Sequence, residues 1–316
     1  MLRKSVFILV LLCSLAISNF AIAAQNNWNA PGGQTDWFTA SNWGDGVPTA
    51  DDWVCVQPGD PNAEPIIDGD AVADSLDIAP WNFGGASIVD VNSGSATFGA
   101  NLRLAGGGDF TNEWVSPSYL YVRSGATVRV DPNRSGSEGL ILGKSFAPYN
   151  IGKVIMYGGL ISVPRLAINH GDIALYGGTL EYTYPDALAA TDTNFIFYQG
   201  IPLPSNKIDI SGGTLRLKGN YTSTSTFDPN LAGLIKSRRI VSEHGTLGTP
   251  TFDGTYTTLT STNIDMNQAW NPSPYSGKTE IHYHNAVDGN VGVTLTWNSG
   301  DEPNIIKHDV YFGTNA

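Results

Sequence analysis

Carboxylates and arginines spaced along short apolar strands are the residues in this sequence best suited to cleaving a polymer. Enzymes that break glycosidic bonds bring acidic and basic side chains together in one groove. Stacked strands place equivalent side chains about 4.8 Å apart, so such a groove is conceivable here. No hydrolase or lyase motif links the candidates, and the simpler interpretation is that they are solvent-facing strand residues. The candidates are Asp90, Arg129, Arg165, Glu181, Asp209 and Arg216.

Aromatic side chains suggest binding rather than catalysis, because sugar rings stack on the faces of tyrosine and tryptophan. Tyr157 and Tyr176 occupy equivalent sites just before Gly-Gly pairs. If exposed they form a ladder, and if buried they stack in the core, which is the arrangement we favour. Trp81, Trp114 and Tyr119 lie near predicted loops. These five residues are the candidate carbohydrate-binding set, and we assign no catalytic residue.

The histidine and acidic residues of this sequence give weaker support for a metal site than the tyrosines and tryptophans give for carbohydrate binding. His282 and His284 share one face of a possible strand, but no third ligand has suitable spacing. Acidic residues also cluster after the N-terminal region, without the spacing of an EF-hand or a calcium-binding nonapeptide repeat. We therefore expect no metal site and no cofactor, with Ca²⁺ left open as a loop ligand. The acidic residues are Asp51, Asp52, Asp60, Asp68 and Asp70.

Five glycines mark an internal repeat that must position these side chains. The residues five places before each glycine are all apolar, and so are those three places before, which is the period of a half-buried strand. A second short strand follows each glycine, displaced by one residue at 127–130, and a third apolar strand separates the units at 102–104, 140–142, 166–168 and 195–197. The glycines are Gly94, Gly125, Gly159, Gly178 and Gly213.

About three strands per repeat predict the coils of a solenoid. The glycines recur at intervals of 31, 34, 19 and 35 residues. A right-handed parallel β-helix tolerates such variation, because loops of any length leave at its corners while the strands keep register. The predicted fold class is therefore all-β, a right-handed parallel β-helix. The alternative is an antiparallel sandwich or meander that uses the same glycines in hairpins.

The segment 37–54, with Trp37, Trp43, Pro48 and Asp52, resembles the opening of large secreted bacterial β-helix repeat proteins of the autotransporter-like and exosortase-sorted type. The resemblance implies a cap and a first coil. Tryptophans such as Trp28, Trp37, Trp43 and Trp53 are suited to covering the open end of a solenoid. Residues 207–219, 234–235, 240–241 and 252–259 resemble the last coils of the same family.

The C-terminal part of the sequence is expected to be different. Pro272 and Pro274 indicate a linker at 267–278. Residues 293–301 and 308–314 resemble the first strands of an immunoglobulin or fibronectin-III-like module, whose complete sandwich needs about 100 residues. We thus expect a β-helix domain at 25–266, a linker at 267–278 and an incomplete module at 279–316, which implies that the natural protein continues.

The first 24 residues are typical of a cleavable secretory leader: Arg3 and Lys4, an apolar run at 6–17 and small residues at 21–24. Removing them leaves 15 basic and 29 acidic residues, a formal charge of −14. Such a surface disfavours nucleic acid. It also leaves Cys55 as the one cysteine, predicted to be buried on a strand. The apolar run is too short to span a bilayer, and no later segment is longer.

Together these features predict a secreted or cell-surface protein without a transmembrane segment. We expect a non-catalytic, structural or adhesin-like role, with extracellular polysaccharide or the cell envelope as partner. The alternative is a polysaccharide lyase or glycoside hydrolase of β-helix type.

Overall fold

A computed structural model describes most of the repeat region and isolated strands beyond it. The described residues are 23–30, 33–57, 64–79, 86–105, 117–131, 139–143, 151–184, 195–197, 206–222, 231–264, 270–273, 284–285, 291–292 and 296–298.

Strands are the predominant secondary structure of the described chain. It also contains one short helix, α1 (Leu231–Lys236), and a 3-10 turn at Ala40–Asn42. In chain order the strands are β1 (Ala24–Asn27), β2 (Asp52–Val56), β3 (Ile66–Asp68), β4 (Ala71–Ile78), β5 (Ser87–Ser93), β6 (Ser95–Leu104), β7 (Ser118–Val122), β8 (Thr127–Val130), β9 (Gly139–Leu142), β10 (Gly152–Val163), β11 (Leu166–Ile168), β12 (Gly171–Tyr182), β13 (Phe195–Phe197), β14 (Lys207–Asp209), β15 (Thr214–Lys218), β16 (Ile240–Val241), β17 (Thr246–Leu247), β18 (Thr251–Phe252), β19 (Tyr256–Thr262), β20 (Trp270–Ser273), β21 (His284–Asn285), β22 (Val291–Gly292) and β23 (Thr296–Asn298).

Strands β1 to β16 pair in parallel, in three series. The first series runs β3, β5, β7, the first part of β10, the first part of β12, β14 and β16. The second runs from the first part of β4 through β6, β8, β10 and β12 to β15. The third runs β1, β2, the second parts of β4 and β6, then β9, β11 and β13. The fold is therefore all-β with a long, mostly parallel sheet, which is compatible with a β-helix. The antiparallel meander does not describe these strands.

The repeat alignment predicts the buried positions of the first series correctly. Both apolar columns before the repeat glycines lie in the core, and every member has an exposed fraction of 0%. The columns are Val89, Leu120, Val154, Ile173 and Ile208, then Val91, Val122, Met156, Leu175 and Ile210. The one-residue displacement at β8 is also confirmed, because Thr127, two places after Gly125, pairs with Ser95 and Leu160, each one place after its glycine.

Glycine is required at the corner between the first and second series. Gly159 and Gly178 have φ values of +72° and +74°, a region that disfavours any side chain with a Cβ atom. A Cβ on Gly159 would also lie 2.2 Å from the carbonyl oxygen of Ala126 in the neighbouring unit. The fifth repeat differs, since Gly212 rather than the aligned Gly213 has positive φ, at +118°.

Three tryptophans form a buried cluster at the N-terminal end of the described chain. Trp37 is fully buried, and Trp28 and Trp43 are 8% and 4% exposed. The rings of Trp28 and Trp43 meet edge to face at 4.8 Å between centroids, and those of Trp37 and Trp43 at 4.6 Å. Trp53 stays half-buried on β2, where its indole nitrogen donates to Asp77 Oδ2 at 3.0 Å. Nearby on β2, Cys55 is fully buried as expected.

The C-terminal end of the main sheet departs from the expected parallel coils. Strand β19 pairs antiparallel with β15, β17 and β18. Asp253 Oδ1 accepts hydrogen bonds from the backbone nitrogens of Thr255 and Tyr256, at 2.8 and 2.7 Å, and the next residue, Gly254, has a φ of +100°. This turn reverses the chain, so residues 252–259 form a hairpin.

Beyond residue 264 the structure describes two small antiparallel pairs. Strand β20, which lies inside the segment expected to be a linker, pairs with β23. Strand β21 pairs with β22. Pro272 falls at the register irregularity between the two paired positions of β20, where a strand does not need its missing N–H group.

Candidate functional site

The exposed side of the first series carries a row of tyrosines. Since alternate residues of a strand face opposite sides, the positions four and two places before each repeat glycine must face away from the core. Tyr121 occupies the first of these columns, and Tyr157 and Tyr176 occupy the second. Tyr157 is 49% exposed, while Tyr121 and Tyr176 are half-buried. The expectation that Tyr157 and Tyr176 stack in the core is therefore wrong, and the alternation of the strand is the reason.

Tyrosine rings stack along this row, both within β7 and between neighbouring strands. Tyr119 and Tyr121 are nearly parallel, with 9° between planes and 6.2 Å between centroids. Tyr121 and Tyr157 are also nearly parallel, at 10° and 6.5 Å. Tyr157 and Tyr176 are 5.9 Å apart with a tilt of 40°. We call these four residues the tyrosine row.

An arginine lies beside the middle of the tyrosine row. The guanidinium carbon of Arg123 is 5.1 Å from the ring centre of Tyr121 and 5.0 Å from that of Tyr157, within the range of a cation–π contact. Arg123 Nη2 donates to Asp90 Oδ2 at 2.7 Å, and Nε donates to Asp90 Oδ1 at 3.0 Å. This hydrogen bonding to Asp90 raises the pKa of Arg123, so the guanidinium stays charged.

Burial raises the pKa of the Tyr121 hydroxyl, and the neighbouring hydroxyls of Tyr157 and Tyr119 add to the shift. The Tyr121 phenol is therefore neutral at physiological pH and is able both to donate and to accept a hydrogen bond.

A buried polar cluster closes one end of the row. The ring of Tyr176 meets the fully buried His244 edge-on at 6.0 Å. Ser211 Oγ donates to Asp209 Oδ1 at 2.6 Å, and it accepts from the backbone nitrogen of His244 at 3.0 Å. Lys207 Nζ lies 3.0 Å from Glu243 Oε1, and both side chains are almost fully buried. These contacts hold the segment after β16 against the side of β14 that faces away from the core.

The charged residues considered for catalysis do not share one site. Asp90 and Asp209 belong to the first series, at opposite ends of the tyrosine row, while Arg129, Glu181 and Arg216 follow one another along the second series. Arg165 lies in the turn between β10 and β11.

Glu181 accepts from Ser162 Oγ at 3.2 Å and from Arg216 Nη1 at 2.8 Å. Arg216 in turn lies 4.1 Å from the ring centre of Tyr256. These contacts tie together β10, β12, β15 and β19 and give Glu181 a structural role in the second series.

Three of the acidic residues considered for calcium accept hydrogen bonds from neighbouring side chains and backbone. Asp52 accepts from Thr49, Asp68 from Asn92, and Asp70 from Ser95. Within the described ranges no group of three or more histidine, cysteine or acidic side chains is placed to hold a metal ion. Asp60 and His282 lie outside the described residues, and the side chain of His284 is not described.

Two of the five candidate carbohydrate-binding residues, Trp81 and Trp114, also lie outside the described residues. The structure brings the other three, Tyr119, Tyr157 and Tyr176, into the tyrosine row. Tyr119 lies on β7 rather than in a loop.

Sequence reasoning missed Tyr121, Arg123 and Asp90 as members of this surface. The signal was present in the outward columns of the repeat, where Tyr121 and Asp90 stand four places before their glycines and Arg123 stands two places before its own.

Comparisons with protein-family models, with curated proteins and with solved structures find no match to this chain. In the part of the chain that the structure describes, no helix has the length and apolar character needed to cross a membrane.

Proposed function

We propose that this chain is an exported, non-catalytic β-helix protein that binds polysaccharide through the tyrosine row. The single observation that carries the proposal is the alignment of four tyrosines from three neighbouring strands, two of them nearly parallel to Tyr121, on the exposed side of one sheet. Because phenol rings present an apolar face and a polar edge, a row of them matches the alternating C–H faces and hydroxyl groups of a sugar chain.

The finer description of the fold is part of this proposal. Along the chain, strands join the three series in a repeating order. Strands β7, β8 and β9 add one strand each to the first, second and third series, and the first part of β10, the second part of β10 and β11 do the same. This order supports a parallel β-helix in which the three series are the three faces, and the general preference of parallel crossover connections favours the right-handed form. A crystal structure showing left-handed winding or two packed sheets would refute it.

Export rests on the leader-like residues 1–24. We propose a secreted or cell-surface location with the cell envelope or extracellular polysaccharide as partner, and the start of an immunoglobulin- or fibronectin-III-like module at 279–316. Expression in a bacterium, followed by fractionation and N-terminal sequencing, tests export. Recovery of an uncleaved chain from the cytoplasm would contradict it.

The non-catalytic interpretation is favoured over a lyase or hydrolase by the distribution of the charged candidates. Asp90 binds Arg123, Glu181 binds Arg216, and Asp209 is 4% exposed. Catalysis of glycosidic cleavage requires an acid and a second carboxylate within a few ångströms of one bond. Release of reducing ends or unsaturated products from any polysaccharide, with or without Ca²⁺, would contradict the non-catalytic proposal.

Binding is tested by truncating the row. We expect Tyr157→Ala and Tyr176→Ala each to weaken polysaccharide binding roughly threefold to tenfold, the equivalent of about 0.5–1.5 kcal/mol per lost aromatic contact. The matched control is Tyr184→Ala, because Tyr184 is 43% exposed but follows the second-series end of β12. Equal losses in all three variants, measured by affinity electrophoresis, would argue against the row as the site.

A further inference from the structure

A salt-bridged pair is built into the tyrosine row. Asp90 comes from β5 and Arg123 follows β7, and three donor–acceptor distances of 2.7 to 3.1 Å join them. The side chains are 38% exposed for Arg123 and 17% for Asp90. The pair is therefore held in place by its own contacts and by the two flanking rings, yet it still reaches solvent.

The described cations on this side of the first series each have a carboxylate beside them. Arg123 is bonded to Asp90, Lys153 is directly opposite Asp172 in the strand register, and Lys207 is bonded to Glu243.

A further carboxylate lies close to the row, because the negative charge of Glu64 contributes to raising the pKa of Tyr121. Among the described residues around the tyrosine row, carboxylates therefore outnumber cations.

The hydrogen-bond donors and acceptors that the Asp90–Arg123 pair does not use internally are suited to binding hydroxyl groups. An arginine has five N–H donors and a carboxylate about four acceptor positions, and the mutual hydrogen bonds use only part of each set. A carboxylate or sulfate of an acidic polymer that accepted from the remaining donors of Arg123 would have to approach the negative charges of Asp90 and Glu64. A hydroxyl group, by contrast, is able to donate to Asp90 or accept from Arg123 while the pair stays intact.

We infer that the ligand of the tyrosine row is a neutral polysaccharide, whose hydroxyl groups hydrogen-bond to the Asp90–Arg123 pair while its sugar faces lie on the flanking tyrosines. This inference rests on the proposed function and names the class of ligand. The carboxylates of Asp90 and Glu64 repel polyanions, whereas the unused donors and acceptors of the pair hydrogen-bond to neutral sugars.

The test is a panel of soluble polymers with the purified protein, at 20 and 150 mM NaCl. The neutral members are glucomannan, xyloglucan and arabinoxylan, and the acidic members are polygalacturonate and alginate. We expect at least one neutral polymer to bind at least tenfold more tightly than both acidic ones, with less than a twofold change between the two salt concentrations. Equal or tighter binding of an acidic polymer would overturn the inference and leave the proposed function standing. Absence of binding to every polymer would overturn both.

A variant separates the pair from the rings. Asp90→Asn leaves Arg123 charged without its anionic partner. We expect affinity for the neutral polymer to fall threefold to tenfold, and affinity for polygalacturonate at 20 mM NaCl to rise at least threefold. The matched control is Glu181→Gln, which breaks a similar pair with Arg216 on the second series and is expected to change neither. An unchanged ratio of the affinities for the neutral polymer and polygalacturonate in Asp90→Asn would overturn the inference. If that variant does not fold, the polymer panel with the wild-type protein is the test.

Discussion

The indole nitrogen of Trp43 donates a hydrogen bond to the backbone carbonyl of Trp37 at 2.7 Å, and the two rings meet edge to face. One side chain thus both fills the end of the core and satisfies a buried backbone oxygen. Replacing Trp43 by alanine is expected to lower the free energy of unfolding by about 3–5 kcal/mol. Urea denaturation followed by far-UV circular dichroism measures the change.

The neighbouring Phe38 provides the control for this substitution, because it is 38% exposed. Phe38→Ala is expected to cost about 1 kcal/mol or less. A loss for Trp43→Ala no larger than that for Phe38→Ala would show that the tryptophan cluster does not stabilise this end of the sheet.

Two corner glycines should respond differently to the same substitution. Gly159 and Gly125 both have positive φ, at +72° and +86°. A Cβ on Gly159 would collide with the Ala126 carbonyl, whereas a Cβ on Gly125 meets nothing within 4 Å. We expect Gly125→Ala to cost only the backbone term, about 1–2 kcal/mol, and Gly159→Ala to cost at least about 3 kcal/mol because the collision is added. Thermal unfolding of the two variants gives the comparison, and equal losses would contradict the close contact between units.

Burial raises the pKa of Asp209, and the nearby negative charge of Glu243 raises it further, while Ser211, the backbone nitrogen of Glu243 and Lys207 lower it. The folded state therefore binds this proton more tightly than the unfolded chain. The contribution of Asp209 to stability is fully present below the unfolded pKa of about 3.9 and is lost as the pH rises through the raised native value.

Asp209→Asn keeps an oxygen that accepts from Ser211 and Glu243 but removes the titration. As pH rises from about 4, we expect the wild type to lose unfolding free energy relative to this variant. Denaturant titrations at half-unit pH steps from 3.5 to 7 measure it. Parallel curves for the two proteins would mean that Asp209 does not titrate abnormally.

Burial, with help from the negative charge of Asp77, raises the pKa of the Cys55 thiol to about 12. At pH 8 only about one molecule in 10⁴ then carries the reactive thiolate. In a Cys13→Ser background, where Cys55 is the one remaining thiol, we expect no reaction with an aromatic disulfide reagent in the native state and one equivalent after unfolding in guanidinium. Rapid native labelling would show that this part of β2 is open to solvent.

The repeat alignment was sufficient to predict most of the strands and the buried columns, because a two-residue period and a recurring glycine are local signals. It also indicates that Tyr157 and Tyr176 face away from the core, because they stand two places before their glycines, whereas the buried columns stand three and five places before. The family resemblance does not predict the antiparallel β19, because it aligns Asp253-Gly254 with a coil, whereas these residues form a turn that reverses the chain.

The site itself was only partly predictable. Asp90 and Arg123 are 33 residues apart, and their hydrogen bonds depend on which strands become neighbours across loops of different length. Spacing along the sequence carries no information about such a partner, whereas stacking the repeat units places Asp90 opposite Tyr121 directly.

The reversed strand β19 has a consequence for self-association. A free edge of parallel strands is a template on which a second molecule can add its own strand, and repeated addition leads to a fibre. At β15 that edge is taken by a strand of the opposite direction, whose own outer edge is met by the two-residue strands β17 and β18. An incoming copy finds no continuous edge of matching polarity on this part of the sheet, so the hairpin protects a fold made of stackable units from polymerising through this strand.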